Sequence, residues 1–232
     1  MSRLRSLLGA LPKLSAPHKG LLLEKHVPPK VGKESNAAAL QEVCRVPSTY
    51  TLYRLAFERW KKWCECRKLV CLEGKLKGRL ALGLGQESVH EIGCRLHHTY
   101  GTPVIPASGI RGALRAHAHG QSYCDFLFGS QESAGYVTVY PAWWIPEGNA
   151  SGLAPDIITV HHQDYYAGKA PPTDFDSPIP VSFLTITGKF FFACEAPNDS
   201  WAEFLKPFVK EALGNQGLGA KRSSGYGRFQ FP

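Results

Sequence analysis

Residues 213–231 read Leu213-Gly-Asn-Gln-Gly-Leu-Gly-Ala-Lys-Arg-Ser-Ser-Gly-Tyr-Gly-Arg-Phe-Gln-Phe231, a stretch that combines many glycines with a pair of cations. The glycines lie at 214, 217, 219, 225 and 227 and flank the pair Lys221-Arg222. Glycine permits positive φ and lets a bulky partner approach backbone N–H groups closely. Clustered N–H groups beside two cations, after a predicted helix and before a predicted strand, suit a phosphate chain. The alternative interpretation is a flexible loop that closes a hairpin.

The composition favours a globular protein with an anionic partner. The chain has 232 residues, 44% of them hydrophobic, which suffices for one sizeable domain with additions or for two small domains. A net charge of +8 and a pI near 9.1 favour an anionic partner, of which nucleic acid is the commonest. The alternative is that this charge serves solubility alone.

The cysteines indicate a reducing compartment. There are seven, an odd number, and they lack the regular spacing of a disulfide framework. We therefore expect a cytoplasmic protein. Cys64, Cys66 and Cys71 have no second close pair at zinc-finger spacing, so buried thiols are expected rather than a metal site. No run approaches the roughly 20 apolar residues that a membrane span requires, and no membrane partner is expected.

Apolar periodicity and turn residues predict an α+β fold. Residues 1–70 predict a basic, helical N-terminal extension, in which residues 48–68 have the spacing of an amphipathic helix with one basic face. A solvated charge face is the favoured interpretation, because Glu58 and Glu65 can pair with its cations at helical spacing. Residues 71–232 predict one domain with an irregular insertion at about 144–181. The predicted core elements are strand 79–84, helix 108–119, strand 136–143, strand 182–194, helix 200–213 and strand 225–231. This βαββαβ order is that of the ferredoxin-like (RRM-like) fold, which underlies many RNA-binding modules.

Local signals mark the ends of these core elements. Prolines hold the approach to the first helix extended, and Ser108 is the predicted N-cap. Arg111 follows one turn later, so the start of this helix can attract anions. Ser200 and Glu203 have the spacing of a capping box at the second helix. Thr187-Gly188 predicts a bend within the long third strand.

Four stretches resemble a known family. The RAMP superfamily of CRISPR-associated proteins has two signatures, which resemble Gly101-Thr-Pro-Val-Ile-Pro-Ala-Ser-Gly-Ile-Arg-Gly-Ala-Leu-Arg115 and Gly217-Leu-Gly…Gly225-Tyr-Gly-Arg-Phe229. Two further stretches most resemble the sixth Cmr subunit of type III-B effector complexes within that superfamily. They are Asp156-Ile-Ile-Thr-Val-His-His-Gln-Asp-Tyr-Tyr-Ala-Gly-Lys-Ala-Pro-Pro172 and Pro178-Ile-Pro-Val-Ser-Phe183. The resemblance covers about residues 79–231.

The resemblance implies a RAMP fold and a non-catalytic, RNA-binding subunit for antiviral defence. Such a subunit lies at the end of the effector filament beside other Cmr/RAMP subunits, and it holds the 3′ part of the guide (CRISPR) RNA that recognises target RNA. The family's RNA contacts map onto Gly217, Gly219, Lys221, Arg222 and Gly225 in the glycine-rich loop, and onto Ser108, Arg111 and Arg115 in the first helix. His161 and Lys169, in the predicted insertion, are further candidate contacts with RNA or a neighbouring subunit. No cofactor, metal or catalytic residue is expected.

The rival function is that of a ribonuclease. Some related RAMP proteins process RNA with a histidine as general acid or base, and His161 or His162 with Lys169 can supply a base and a cationic stabiliser. Other RAMP subunits cut target RNA with a loop aspartate. The candidates of that kind are Asp164, Asp174 and Asp176.

Overall fold

A computed structural model of the chain describes residues 18–26, 33–85, 93–160, 162–175 and 179–232. Its helices are α1 (Lys19–Leu21), α2 (Lys33–Arg45), α3 (Thr51–Cys66), α4 (Ala107–His117), α5 (Cys124–Phe128), α6 (Gln163–Tyr166) and α7 (Asp199–Glu211). Its strands are β1 (Val70–Leu76), β2 (Val104–Ile105), β3 (Thr138–Val139), β4 (Ala142–Trp144), β5 (Leu153–Val160), β6 (Ile179–Ile186), β7 (Lys189–Glu195) and β8 (Phe229–Gln230). Two π-helical turns, Leu22–His26 and Ala212–Gln216, continue α1 and α7. None of these helices combines the length and the apolar character that crossing a bilayer requires.

The main sheet is antiparallel, and its strand order is β2-β4-β7-β1-β8, with β3 also paired to β7. Its centre is the long pair of β1 and β7, which runs from Val70 opposite Cys194 to Lys75 opposite Lys189. Strands β5 and β6 form a second, two-stranded antiparallel sheet. Helices and antiparallel strands therefore occur in one chain, and the predicted α+β class is confirmed.

Both faces of the main sheet are covered. Along β7, Phe190, Phe192 and Cys194 belong to the main core, which also contains apolar residues of α4 and α7. The alternate residues Phe191 and Ala193 point to the other face, because side chains of a strand alternate between its two sides. Helix α3 packs on that second face. Its Phe57 meets Phe191 edge-on at 6.0 Å, and its Trp60 stacks on Trp143 of β4 at 5.8 Å.

A buried lysine fixes the first described segment to the domain. Lys19 is 1% exposed, and its Nζ donates to Ser48 Oγ and to the carbonyl and hydroxyl oxygens of Ser151. Burial penalises the ammonium form and lowers the pKa of Lys19 from 10.5 to about 7, although nearby thiols oppose the shift. The lysine therefore loses its proton far more easily than an exposed lysine does.

The first core strand lies earlier than predicted. The sequence predicted a strand at 79–84, but the central strand is β1, in which Val70, Leu72 and Leu76 lie on the core side. Leu80 and Ala81 are fully buried, yet each makes only a single β-bridge. Leu80 is bonded to Ile186 of β6, and Ala81 is bonded to Ala220 of the carboxyl-terminal loop. Contacts with two different segments, rather than a strand ladder, therefore bury this apolar run.

The predicted insertion contains regular structure. Residues 144–181 were expected to be irregular, but β5 pairs along its whole length with β6. Pro155 argues against a strand when only the sequence is read, because proline cannot donate a backbone hydrogen bond to a neighbouring strand. A two-stranded sheet accommodates it, because each strand has one edge that pairs with no other strand. The predicted strand 182–194 is divided at Gly188, which has φ 102, so that β6 and β7 enter different sheets. The predicted bend at Thr187-Gly188 is thus confirmed.

The two predicted helix caps are wrong. Helix α4 begins at Ala107 with Pro106 at the N-cap position, which places Ser108 in the first turn. Helix α7 is capped by Asn198, whose Oδ1 accepts a hydrogen bond from the Trp201 amide at 3.1 Å. Asparagine caps as well as serine does, so the spacing between Ser200 and Glu203 could not decide between the two.

Candidate nucleic-acid interface

The glycine-rich loop is fixed at its base by the backbone. It follows the π-helical turn Ala212–Gln216, and the Leu218 amide donates to the Gly227 carbonyl across the loop at 3.0 Å. The Gly227 amide in turn donates to the Arg79 carbonyl at 2.8 Å, and the Ala220 amide donates to the Ala81 carbonyl at 2.9 Å. These bonds hold the two ends of the loop together and attach them to residues 79–81.

Most of the glycines serve this internal packing. A Cβ on Gly217 would lie 2.6 Å from the Gly227 carbonyl oxygen, and one on Gly219 would lie 2.6 Å from the Ala81 carbonyl oxygen. A Cβ on Gly227 would lie 1.8 Å from the Leu218 carbonyl oxygen. The space beside Gly217 and Gly219 is thus filled by the chain itself. Gly225 differs, because it has φ 88 and a Cβ there would meet no atom within 4 Å.

The tip of the loop is exposed and cationic. Lys221 has φ 57, and a 3₁₀ turn spans Arg222–Ser224 before Gly225. Residues 221–225 are all exposed. The side chains of Lys221 and Arg222 make no ion pair with any residue that the structure describes. Two adjacent positive charges on a rigidly held tip can contact consecutive phosphates.

An ionic contact that the sequence analysis missed supports the tip from the side. The Tyr226 hydroxyl donates to Asp156 Oδ2 at 2.7 Å, and Arg79 Nη1 lies 3.1 Å from the same oxygen. Burial opposes ionisation of this carboxylate, but the hydrogen bonds from Tyr226 and the Ile157 amide and the charge of Arg79 outweigh it, so the pKa of Asp156 is lowered. Asp156 on β5 thus fixes the loop to the second sheet. The sequence could have suggested Tyr226 through its place in the Gly-Tyr-Gly motif, but nothing in the sequence suggested its partner.

The two arginines of α4 make internal contacts. Arg111 donates from Nε and Nη2 to the Phe128 carbonyl at 2.9 and 2.6 Å. Arg115 donates to the Gly129 carbonyl at 2.9 Å and pairs with Asp125 at 3.0 Å. Both guanidinium groups therefore hold the end of α5. Each retains further N–H donors, because a guanidinium carries five.

The two regions predicted to contact RNA are neighbours in the fold. Helix α4 packs against the π-helical turn that leads into the glycine-rich loop. Ser108, Arg111 and Arg115 are all exposed on that helix. The structure thus places α4 beside the base of the glycine-rich loop.

The candidates from the predicted insertion lie in α6 and in the residues around it. Lys169 is exposed in the turn after α6, where its amide donates to the Asp164 carbonyl at 2.8 Å. Asp164 and Asp174 are also exposed, and His162 is half-buried just before α6. The remaining two candidates, His161 and Asp176, lie outside the described residues.

The cysteines are free thiols, all seven of them. Burial raises the pKa of the Cys64 and Cys194 thiols to about 12. Cys66 is exposed, so the expectation of buried thiols is wrong at that position. Within the described ranges, no three His, Cys, Asp or Glu side chains are grouped as metal ligands are.

The fold and the candidate site define an antiparallel α+β domain with a glycine-rich loop before its last strand. Sequence comparison identifies the family of this domain. The chain belongs to the RAMP superfamily, whose sequence model matches residues 73–230. It is 29% identical to the CRISPR system Cmr subunit Cmr6 of Pyrococcus furiosus, over an alignment that covers 75% of this chain and 73% of that protein.

A solved structure shares the fold. A chain in the cryo-EM structure of the type III-B Cmr-beta complex bound to cognate target RNA superimposes with a TM-score of 0.71. The match covers 85% of this chain and 71% of that chain at 22% sequence identity. At this identity the comparison establishes a common fold.

Proposed function

We propose that this chain is a non-catalytic, RNA-binding subunit of a type III-B CRISPR (Cmr) effector complex that acts in antiviral defence. It holds the 3′ part of the guide RNA at one end of the filament while the guide pairs with target RNA, and it packs beside other Cmr subunits. The similarity to a protein named Cmr6 and the fold shared with a chain of a Cmr complex support this assignment. Seven free thiols support a cytoplasmic location.

One observation carries the proposal: Lys221 and Arg222, which have no ion pair with any described residue, stand on the exposed tip of a loop whose base is fixed by backbone hydrogen bonds. Lys221 and Arg222 can neutralise phosphates without giving up an ion pair within the described part of the chain. The fixed base lowers the entropy cost of ordering the loop on RNA. A chain with net charge +8 also attracts RNA before contact.

The sheet in this proposal is ferredoxin-like. The strands β4, β7, β1 and β8 are neighbours in that order and are all antiparallel, and α4 and α7 lie in the connections β1–β4 and β7–β8. RNA-recognition modules of this topology stack bases on the open face of the sheet. Here α3 covers that face through Phe57 and Trp60. RNA therefore binds at the glycine-rich loop and the exposed side of α4, not on the sheet.

Direct binding measurements test the RNA assignment. We expect single-stranded guide-repeat RNA to bind the full chain, with no cleavage product on a denaturing gel. Each lost phosphate contact flattens the slope of log affinity against log salt by roughly 0.7 for single strands, so Lys221→Ala with Arg222→Ala should reduce the slope by roughly 1.4. The weakening should be uniform across unrelated RNA sequences, since phosphates carry no sequence information.

A matched control removes two positive charges from another exposed surface, that of α3. Arg59 and Lys62 are exposed on α3, and their replacement by alanine should leave affinity and slope nearly unchanged if that face is only solvated. An unaltered slope in the loop double variant, with the fold intact by circular dichroism, would remove the loop from the interface. Product formation by the pure chain would instead favour the ribonuclease.

A further inference from the structure

Six aromatic rings form a continuous strip on the side of the molecule that carries α5 and α7. They are Tyr136, Phe126, Trp201, Phe204, Phe208 and Tyr123. Tyr136 stacks on Phe126 at 4.6 Å, and Phe126 lies 5.6 Å from Trp201. Tyr136 is 64% exposed and Phe126 is 42% exposed. A contiguous aromatic strip with exposed members marks an interaction surface more often than an isolated exposed ring does.

The strip leads into a cleft between α7 and the segment that follows α4. The cleft has a volume of about 370 Å³ and is walled by Tyr123, Phe204 and Phe208. Phe204 stacks on Phe208 at 5.4 Å, and Tyr123 stands edge-on to Phe204 at 5.2 Å. The aromatic faces of such a wall carry partial negative charge and attract cations.

The rim of the cleft carries an exposed carboxylate. The Glu211 side chain at its rim is 62% exposed, and its Oε2 lies 3.9 Å from His117 Nε2, too far for a hydrogen bond. His117 Nδ1 is buried and has no hydrogen-bond partner among the described residues. A guest with N–H donors can hydrogen-bond to the exposed Glu211 carboxylate.

The charges around the strip disfavour RNA. Asp199, Glu203 and Glu211 are exposed on α7. Among the cations on the same helix, Lys206 is exposed, and Lys210 Nζ donates to the Pro232 carbonyl at 2.6 Å. The three exposed carboxylates therefore outnumber the exposed cation on α7. Phosphates are repelled by such carboxylates, whereas a cation on a partner is attracted. This surface is therefore more acidic than the tip of the glycine-rich loop.

We propose that the strip and the cleft dock a neighbouring protein chain, which inserts an arginine flanked by apolar residues. Its guanidinium stacks on the aromatic wall and donates to Glu211, and its apolar neighbours pack on Phe126 and Tyr136. Arginine fits better than lysine because it presents five donors on a planar, weakly hydrated group. The inference rests on the proposed function in one respect, namely that the chain works beside other protein subunits.

Variants that spare the core test the docking surface. Tyr136→Ser and Glu211→Gln alter exposed side chains, and Glu58→Gln on α3 makes the same charge change on an unrelated exposed site. In a reconstituted effector complex, each strip variant should weaken retention of this chain by its neighbouring subunits about 10-fold in salt-titrated pull-downs, while Glu58→Gln has no effect. The same variants should bind guide-repeat RNA as tightly as the unaltered chain does. A loss of RNA affinity with unchanged subunit binding would make the strip an RNA surface and overturn the proposal.

Cross-linking identifies the occupant directly. A photoreactive p-benzoylphenylalanine replaces Tyr136 in the purified complex, and the same group replaces Ser223 at the tip of the glycine-rich loop. We expect the probe at position 136 to cross-link to an arginine-containing peptide of a neighbouring subunit, and the probe at 223 to cross-link to RNA. Cross-links from position 136 to RNA, or to a protein segment without arginine, would refute the docking mode. Loss of the RNA cross-link at 223 alone would count against the proposed function and leave the docking surface standing.

Discussion

Replacing Gly227 with alanine tests whether the glycine-rich loop is held together by close backbone contact. Gly227 has φ 75, and a Cβ there would lie 1.8 Å from the Leu218 carbonyl oxygen. That oxygen cannot retreat easily, because the Leu218 amide is bonded to the Gly227 carbonyl at 3.0 Å and the Gly227 amide is bonded to Arg79. Breaking both hydrogen bonds costs about 1–3 kcal/mol, and positive φ adds about 1–2 kcal/mol. We expect the free energy of unfolding to fall by about 2–5 kcal/mol.

The assay is urea denaturation followed by tryptophan fluorescence, with Gly225→Ala as the matched control. Gly225 has φ 88, but a Cβ there meets no atom within 4 Å, so only the backbone term of about 1–2 kcal/mol applies. The difference between the two variants isolates the steric contact. Equal losses of stability in the two variants would show that the loop does not pack as described.

Four further outcomes are expected. Asp156→Asn should reduce the loss of stability in acid, because the pKa of Asp156 in the folded chain is lowered from 3.8. The stabilisation by this carboxylate is present above about pH 4 and is lost as the pH falls through the folded pKa. An unchanged acid part of the curve of stability against pH would contradict this. The stability of the unaltered chain should rise between pH 7 and 10.5, because in this range Lys19 is protonated in the unfolded chain but not in the folded chain. Lys19→Met should abolish that rise, as measured by urea midpoints across the same range. Phe208→Ala should cost about 3–5 kcal/mol in the same denaturation assay, since the ring is 7% exposed, and a loss below about 1 kcal/mol would mean that this face is open. Alanine at both His161 and His162 should leave RNA cleavage by the assembled complex within a few-fold of normal on a gel, whereas abolished cleavage in an intact complex would restore the ribonuclease.

The sequence predicted part of the candidate RNA surface, for local reasons. Clustered glycines with two cations are visible along the chain, and the exposed tip at Lys221 and Arg222 agrees with that pattern. The internal contacts of Arg111 with Phe128 could not be predicted, since they depend on how α4 meets α5. Asp156 was missed for the same reason, because it lies 70 residues before its partner Tyr226.

The sequence by itself determined the helices α3, α4 and α7 and the α+β class, because apolar spacing and glycine stops act over a few residues. Tertiary structure decided which apolar runs become strands. Leu80 and Ala81 are buried without a ladder, whereas Pro155 lies inside β5, since strand pairing depends on partners far away in the chain. It also decided the role of most loop glycines. A sequence shows that a position lacks a side chain, but only the packed chain shows whether a ligand or the protein's own backbone occupies the space.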